Sequence, residues 1–135
     1  MTDRFQRLIR LLTTPYRLLT AKNMWLPLTT PEQLTAIAQE SHEHPVLIFK
    51  HSTTCSISAM AKAKIERQWA DSGLANTTIY YLDLLRFRPI SAQIAQQFSV
   101  HHESPQLLLI QGGECTYDAS HMGIQLREVK ELIGG

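Results

Sequence analysis

Short apolar runs alternate with amphipathic stretches along this chain, and turn-forming residues separate them. Trp25 to Leu28 is a short candidate strand, which Pro27 confines to an edge or a strand end. Thr30-Pro31-Glu32-Gln33 reads as a helix start, with Thr30 as N-cap, Pro31 in the first turn and Gln33 closing a capping box. Leu34, Ile37 and Ala38 supply its inward stripe, and His44-Pro45 ends it. Val46-Leu47-Ile48-Phe49 is continuously apolar, the pattern of a central strand buried on both faces. After the polar turn His51 to Thr54, the residues Ile57, Met60, Ala61, Ile65 and Trp69 recur at helical spacing between Ser56 and Asp71, and Gly73 terminates the helix. Thr78 to Leu84 is a third strand. Arg88-Pro89 opens a helix with Ile90, Ile94 and Phe98 at i+4 steps. Gln106 to Ile110 is a fourth strand, and Gly112-Gly113 turns it into a fifth, Cys115 to Tyr117. A last helix directs Leu126, Val129 and Ile133 inward.

The order is therefore β-α-β-α-β-α-β-β-α. Strands alternating with helices give a parallel core, and the closing hairpin adds antiparallel strands at one side. This predicts an α/β fold with a central mixed sheet of four to five strands flanked by helices, the order of a thioredoxin-like domain, over residues 25–135. Residues 1–24 differ in character. Phe5, Leu8, Ile9, Leu11, Leu12, Leu18 and Leu19 are interleaved with Arg4, Arg7, Arg10 and Arg17, which predicts an extra N-terminal amphipathic helix. Arg10 interrupts what would be the core of an export signal, and no small-residue cleavage site follows. The apolar and basic positions mix on several faces, so the expectation is a helix packed on its own domain rather than one touching a membrane.

Composition narrows the function. A chain of 135 residues with 44% hydrophobic content can bury a core of its own as one domain. Thirteen Lys and Arg against 12 Asp and Glu leave a net charge of +1, without the basic excess expected of a nucleic-acid binder. Two cysteines exclude both a disulfide framework and a four-thiolate zinc site. The six histidines fall in no metal-ligand spacing, so no metal is expected. Without an export signal, the expected setting is the reducing cytoplasm, where cysteines persist as thiols.

Cys55 falls at the junction of the second strand and the following helix. Unpaired backbone N–H groups and the helix dipole favour an anion at such a position, which suits a thiolate nucleophile. A cysteine can equally be a small buried hydrophobe, but His51, Ser52, Thr53, Thr54 and Ser56 make this turn polar and exposed. Cys55-Ser56-Ile57-Ser58 carries no second thiol, which removes a dithiol cycle within the motif and leaves Ser58 as a hydrogen-bond partner for the thiolate. A phosphatase loop would need arginine where Ala61 stands, and a peroxiredoxin would need proline and threonine at Ile48 and Ser52. If Pro105 lies beside Cys55, the fourth strand carries the chain roughly 20 Å away before Cys115 is reached. A disulfide needs Cα atoms within about 7 Å, so Cys115 is read as a strand cysteine with a packing role.

The segments Phe49-Lys50-His51-Ser52-Thr53-Thr54-Cys55-Ser56-Ile57-Ser58, Arg88-Pro89-Ile90-Ser91, His102-Glu103-Ser104-Pro105-Gln106 and Ala119-Ser120-His121 resemble one known family. It is the monothiol bacilliredoxins of the bacillithiol redox system, the YtxJ type. The resemblance spans residues 25–133 and departs at Ser56, where the family pattern Thr-Cys-Pro-Ile-Ser has proline. It implies a thioredoxin fold with Cys55 as the redox thiol and Ser58 assisting it. Pro105 is implied to be a cis-proline, and the backbone of Ser104 would pair with an extended substrate. Thr53 and Thr54 would line the substrate site. From their own chemistry His51 and His102 could join them there, assisting the thiolate or binding a substrate carboxylate, or be ordinary turn histidines. The implied activity is removal of bacillithiol, or a related low-molecular-weight thiol, from mixed disulfides on proteins. S-thiolated proteins are then the partners, and the small thiol is a co-substrate with no tightly bound cofactor. Two other readings remain: a redox-inert thioredoxin-like binding module, and a sensor that is S-thiolated as a signal without turning over.

Overall fold

The apolar runs pair into one five-stranded mixed sheet in a computed structural model that describes residues 24–134. The amphipathic extension expected over residues 1–24 lies outside the described residues, apart from Met24. In chain order the elements are β1 (Trp25–Pro27), α1 (Glu32–Glu40), β2 (Val46–His51), α2 (Ser56–Gln68), β3 (Thr78–Asp83), α3 (Arg88–Gln97), β4 (Gln106–Gln111), β5 (Glu114–Ser120) and α4 (Leu126–Ile133). A short 3-10 turn, His121–Gly123, links β5 to α4. The strands lie in the order β1-β3-β2-β4-β5, with β1, β3 and β2 parallel and β4 and β5 antiparallel to their neighbours.

Helices cover both faces of the sheet, which is why Val46–Phe49 of β2 and Leu107–Ile110 of β4 read as unbroken apolar runs. Alternation sends Leu47, Phe49, Leu107 and Leu109 to one face, against Ala61 and Ile65 of α2 and Leu126 and Val129 of α4. Val46, Ile48, Leu108 and Ile110 go to the other, against Leu34 and Ile37 of α1 and Ile90 and Ile94 of α3. Each fully buried Val, Leu, Ile or Phe among them contributes about 1.5–3 kcal/mol, so the two layers together hold the sheet beneath its loops. At the β4–β5 hairpin, Gly112 and Gly113 take φ of +60° and +81°, a conformation that strains residues with a Cβ.

The boundaries depart most from the pattern read along the chain at four elements. Pro31, not Thr30, takes the cap position of α1 and makes no side-chain cap bond. Gln33 Oε1 accepts the N–H groups of Thr29 (2.7 Å) and Thr30 (3.0 Å), so only the Gln33 half of the capping box forms. β2 continues past Phe49 through Lys50 and His51, because β3 pairs with both residues and β4 still pairs with Lys50. α2 stops at Gln68, and Ile57 and Met60 are 43% and 60% exposed; the inward stripe is Ser58, Ala61 and Ile65. β5 extends to Ser120, and the next residue, His121, donates its N–H to the Pro105 carbonyl at 3.0 Å.

Candidate active site

Two loops meet at one end of the sheet because β2 and β4 are antiparallel neighbours. Lys50 pairs with Gln106, so the chain leaving β2 toward Cys55 runs beside the chain that enters β4 through Pro105. Cys55 is the N-cap of α2, with extended backbone (φ −105°, ψ 121°), and its carbonyl accepts the Ala59 N–H at 3.0 Å. Its own N–H donates to the Ser52 carbonyl at 3.2 Å, which closes the turn. The residue is half-buried, while Thr53, Thr54 and Ser56 are exposed. The first turn of α2 holds no acidic side chain, so the positive end of the helix is not neutralised by its own residues. Among the described residues the Sγ atom has no hydrogen-bond partner, which leaves it open to a substrate sulfur.

Ser58, one turn further along α2, is fully buried. The sequence placed its hydroxyl beside the thiol; in the structure that hydroxyl accepts the Ser52 N–H at 3.0 Å and shares a 2.6 Å hydrogen bond with His51 Nδ1. Ser58 thus braces the turn that carries Cys55 through its two ends. His51 is buried too, stacked near Phe49 and tilted against Tyr81. Burial holds its pKa below the usual histidine value and the Lys62 cation lowers it further, while Asp83, Ser58 and Glu66 oppose both. A neutral imidazole therefore backs the Cys55 turn near neutral pH.

The residue before His51 turns to the opposite face of the sheet. Lys50 is completely buried, and its ammonium lies 3.2 Å from His102 Nδ1 and 3.4 Å from the Ser91 carbonyl. Desolvation lowers its pKa to about 8. Gln106, its cross-strand partner and equally buried, donates to the His101 carbonyl at 3.0 Å and accepts the Glu103 N–H at 3.3 Å. Two buried polar side chains thus hold the loop that precedes Pro105. The Ser104–Pro105 peptide bond is cis, Pro105 is buried, and the Ser104 Oγ is buried without a hydrogen-bond partner among the described residues.

The surroundings are apolar and aromatic. Ile57 and Met60 on α2 and Met122 in the 3-10 turn are exposed, and the Lys64 ammonium donates to the Ile124 carbonyl at 3.0 Å, joining α2 to the chain after that turn. Beyond His51, the rings of Tyr81 and Trp25 lead to a shallow cleft of about 320 Å³ lined by Trp25, Pro27, Lys62 and Tyr81. Lys62 is paired there with Glu66 at 2.9 Å.

Cys115 lies in β5, opposite Ile110 near the far end of β4. Five residue steps along the strand lead from Pro105 to Ile110, roughly 16 Å at ~3.3 Å each. The Cys115 thiol donates to the Tyr117 carbonyl at 3.2 Å and packs against the second apolar layer. Burial pushes its pKa up to about 11. Both cysteines are free thiols.

The residues singled out in the sequence therefore gather at one sheet end: Cys55, Thr53, Thr54 and His51 on one loop, His102, Ser104 and Pro105 on the other, with Ser58 beneath. Lys50, Ser91 and Gln106 were not foreseen. A lysine after four apolar residues reads as a strand end, and only the cross-strand pairing reveals that it is inside.

The chain matches the family of the monothiol bacilliredoxin BrxC over residues 26–129. Among solved structures, one described as a candidate oxidoreductase with a thioredoxin fold superposes with a TM-score of 0.71 at 27% identity, covering 82% of this chain and 95% of that one. Thioredoxin from Trypanosoma brucei brucei follows with a TM-score of 0.63 at 12% identity, covering 82% and 91%. Thioredoxin O2 from Arabidopsis thaliana in its oxidized state gives 0.59 at 14%, covering 82% and 92%. The last two are similar in fold alone. A thioredoxin-like sheet with one cysteine at its active end, and a match across most of the chain, place this protein in the monothiol bacilliredoxin family of thiol-disulfide oxidoreductases.

Proposed function

We propose that this protein removes bacillithiol, or a related low-molecular-weight thiol, from mixed disulfides on proteins, with Cys55 as the only redox thiol. The observation that carries this reading is Cys55 at the N-terminus of α2, half-exposed, with a serine where a resolving thiol would stand and Cys115 at the other end of the sheet. The thiolate attacks the sulfur of the small thiol in the mixed disulfide. That S–S bond breaks, a new one forms to Cys55, and the target sulfur leaves with the bond's electron pair and takes up a proton. A second small thiol then attacks the Cys55 adduct, releases a small-molecule disulfide and restores the thiolate. No electrons are gained or lost beyond those exchanged between sulfurs.

The remaining residues fit supporting roles in this scheme. Ser104 and Pro105 offer an edge of backbone for an extended target segment, flanked by Thr53 and Thr54. Ile57, Met60 and Met122 form an apolar rim that suits a protein substrate. The setting is a reducing compartment in which the small thiol is maintained.

The test is transfer of bacillithiol from a protein-bound mixed disulfide, with glutathione and coenzyme A mixed disulfides as competitors. Transfer by wild-type protein above the uncatalysed rate, and strongest for bacillithiol, is the expected result. Equal rates with and without the protein would contradict it.

A further inference from the structure

Lys50 is an unusual residue to find inside a sheet. It sits in the central strand, between β3 and β4, with none of its surface exposed. No carboxylate pairs with it among the described residues. An ammonium group carries three donors and no acceptor, so each neighbour it contacts must present a lone pair. One neighbour is the Ser91 carbonyl; the other is His102 Nδ1, 3.2 Å away. The Ser91 hydroxyl lies 3.4 Å from the same ring nitrogen. His102 itself is exposed at the active end of the sheet, on the loop that Gln106 pins through the backbone of His101 and Glu103.

These contacts determine where the ring proton goes. While Lys50 is an ammonium, Nδ1 of His102 has to accept, so a neutral His102 carries its proton on Nε2. Among the described residues Nε2 has no hydrogen-bond partner; the 3.9 Å ion pair on this loop belongs to His101 and Glu103. The result is a single N–H donor, fixed in direction, three residues before Pro105 on the loop beside Cys55. Burial and the Lys50 charge both lower the His102 pKa, against the opposing charge of Glu103, which keeps the ring a neutral donor.

We infer that Lys50 is a positioning residue that presents the His102 Nε2–H as a docking donor for a carboxylate of the small thiol carried in the mixed disulfide. This inference rests on the exchange activity proposed above and adds a specificity element to it. A carboxylate on the small thiol would receive a directed hydrogen bond as its sulfur approaches Cys55, whereas a small thiol without a carboxylate would leave the donor to water.

Two measurements on the full-length protein test it. The first compares exchange on one target peptide carried as its cysteine mixed disulfide or as its cysteamine mixed disulfide, which differ by the carboxylate of the small thiol. Wild type is expected to prefer the cysteine form by about tenfold in kcat/KM, mostly through KM. His102→Ala, at an exposed position, should abolish that preference, and His102→Gln, which keeps an outward amide N–H, should restore part of it. Lys50→Met, which leaves the ring in place but frees its tautomer, should lose part of the preference. The second is heteronuclear NMR of the His102 ring nitrogens: one tautomer with Nδ1 unprotonated in wild type, a mixture of tautomers in Lys50→Met. Equal rates for the two disulfides in wild type, an unchanged preference in His102→Ala, or a protonated Nδ1 in wild type would each overturn the inference. Failure to exchange either disulfide would instead overturn the functional reading, and the NMR result would still decide the position of the proton.

Discussion

The two cysteines sit at opposite ends of the same pair of strands, and the difference between them lies in what surrounds each thiol. Cys55 caps a helix, has its Sγ without a hydrogen-bond partner among the described residues, and is flanked along the chain by exposed Thr53, Thr54, Ser56 and Ile57. Cys115 lies within a strand, donates to a carbonyl on its own chain, and has its pKa raised to about 11 by burial. One thiol has the surroundings of a nucleophile and the other those of a packing group, although their residue type is the same.

The largest effect that would sharpen or break this contrast is on thiol transfer. Cys55→Ser should remove catalysed transfer entirely, to the uncatalysed level, while Cys115→Ser should stay within about twofold of wild type. Loss of transfer in a folded Cys115→Ser variant would erase the contrast. Alkylation reads the same difference without a substrate. With its pKa at about 11, about one Cys115 thiol in ten thousand is ionised at pH 7. Iodoacetamide should therefore modify Cys55 first by a wide margin, and Cys115 only once the protein is unfolded; peptide mapping would show which is labelled.

Much of this arrangement is legible along the chain, and the part that is not has a common cause. The unbroken apolar runs at Val46–Phe49 and Leu107–Ile110 declare strands buried on both faces, and the double glycine declares the hairpin. Cys55 can be placed at a helix start from the polar turn before it and the helical spacing after it. The same spacing misassigns Ile57 and Met60, since a helix with several apolar residues around its circumference does not say which stripe faces the core. The sheet tells them apart: Ala61 and Ile65 pack against it, while Ile57 and Met60 stay exposed. Lys50 and His51 are the clearest case. Their partners are Ser91, His102 and Ser58, the first two 41 and 52 residues from Lys50, so no local pattern signals that these polar side chains are inside.

A smaller effect probes why Ser58 matters to the contrast. Ser58→Cys would place a second thiol three helical residues from Cys55, within the Cα separation that a disulfide tolerates, about 4.4–6.8 Å. Oxidation of that variant should yield a bridge within α2, while the wild-type chain should yield none between Cys55 and Cys115; non-reducing peptide mapping separates the cases. The variant also takes a hydroxyl from His51 and from the Ser52 N–H, at a cost of about 1–3 kcal/mol in a denaturant titration.

The smallest effect concerns Lys50 and has a defined sign. In the unfolded chain a lysine holds its proton up to about pH 10.5, and in the folded protein Lys50 holds it only to about pH 8. Between those values the unfolded state binds more protons, so this group makes the protein more stable as pH rises, and its penalty is fully present below pH 8. Lys50→Met should therefore be more stable than wild type at pH 7, by about 1–3 kcal/mol, with the difference shrinking toward pH 10. Urea titrations at the two pH values measure it, and a difference that grows with pH would contradict the burial of an ammonium at this position.

The most direct test of the monothiol reading is intact-protein mass spectrometry after the reduced chain is mixed with a bacillithiol-modified protein. The expected product is a single small-thiol adduct on Cys55, with the target recovered as a free thiol. An adduct on Cys115, or an internal disulfide marked by the loss of two hydrogens, would contradict it.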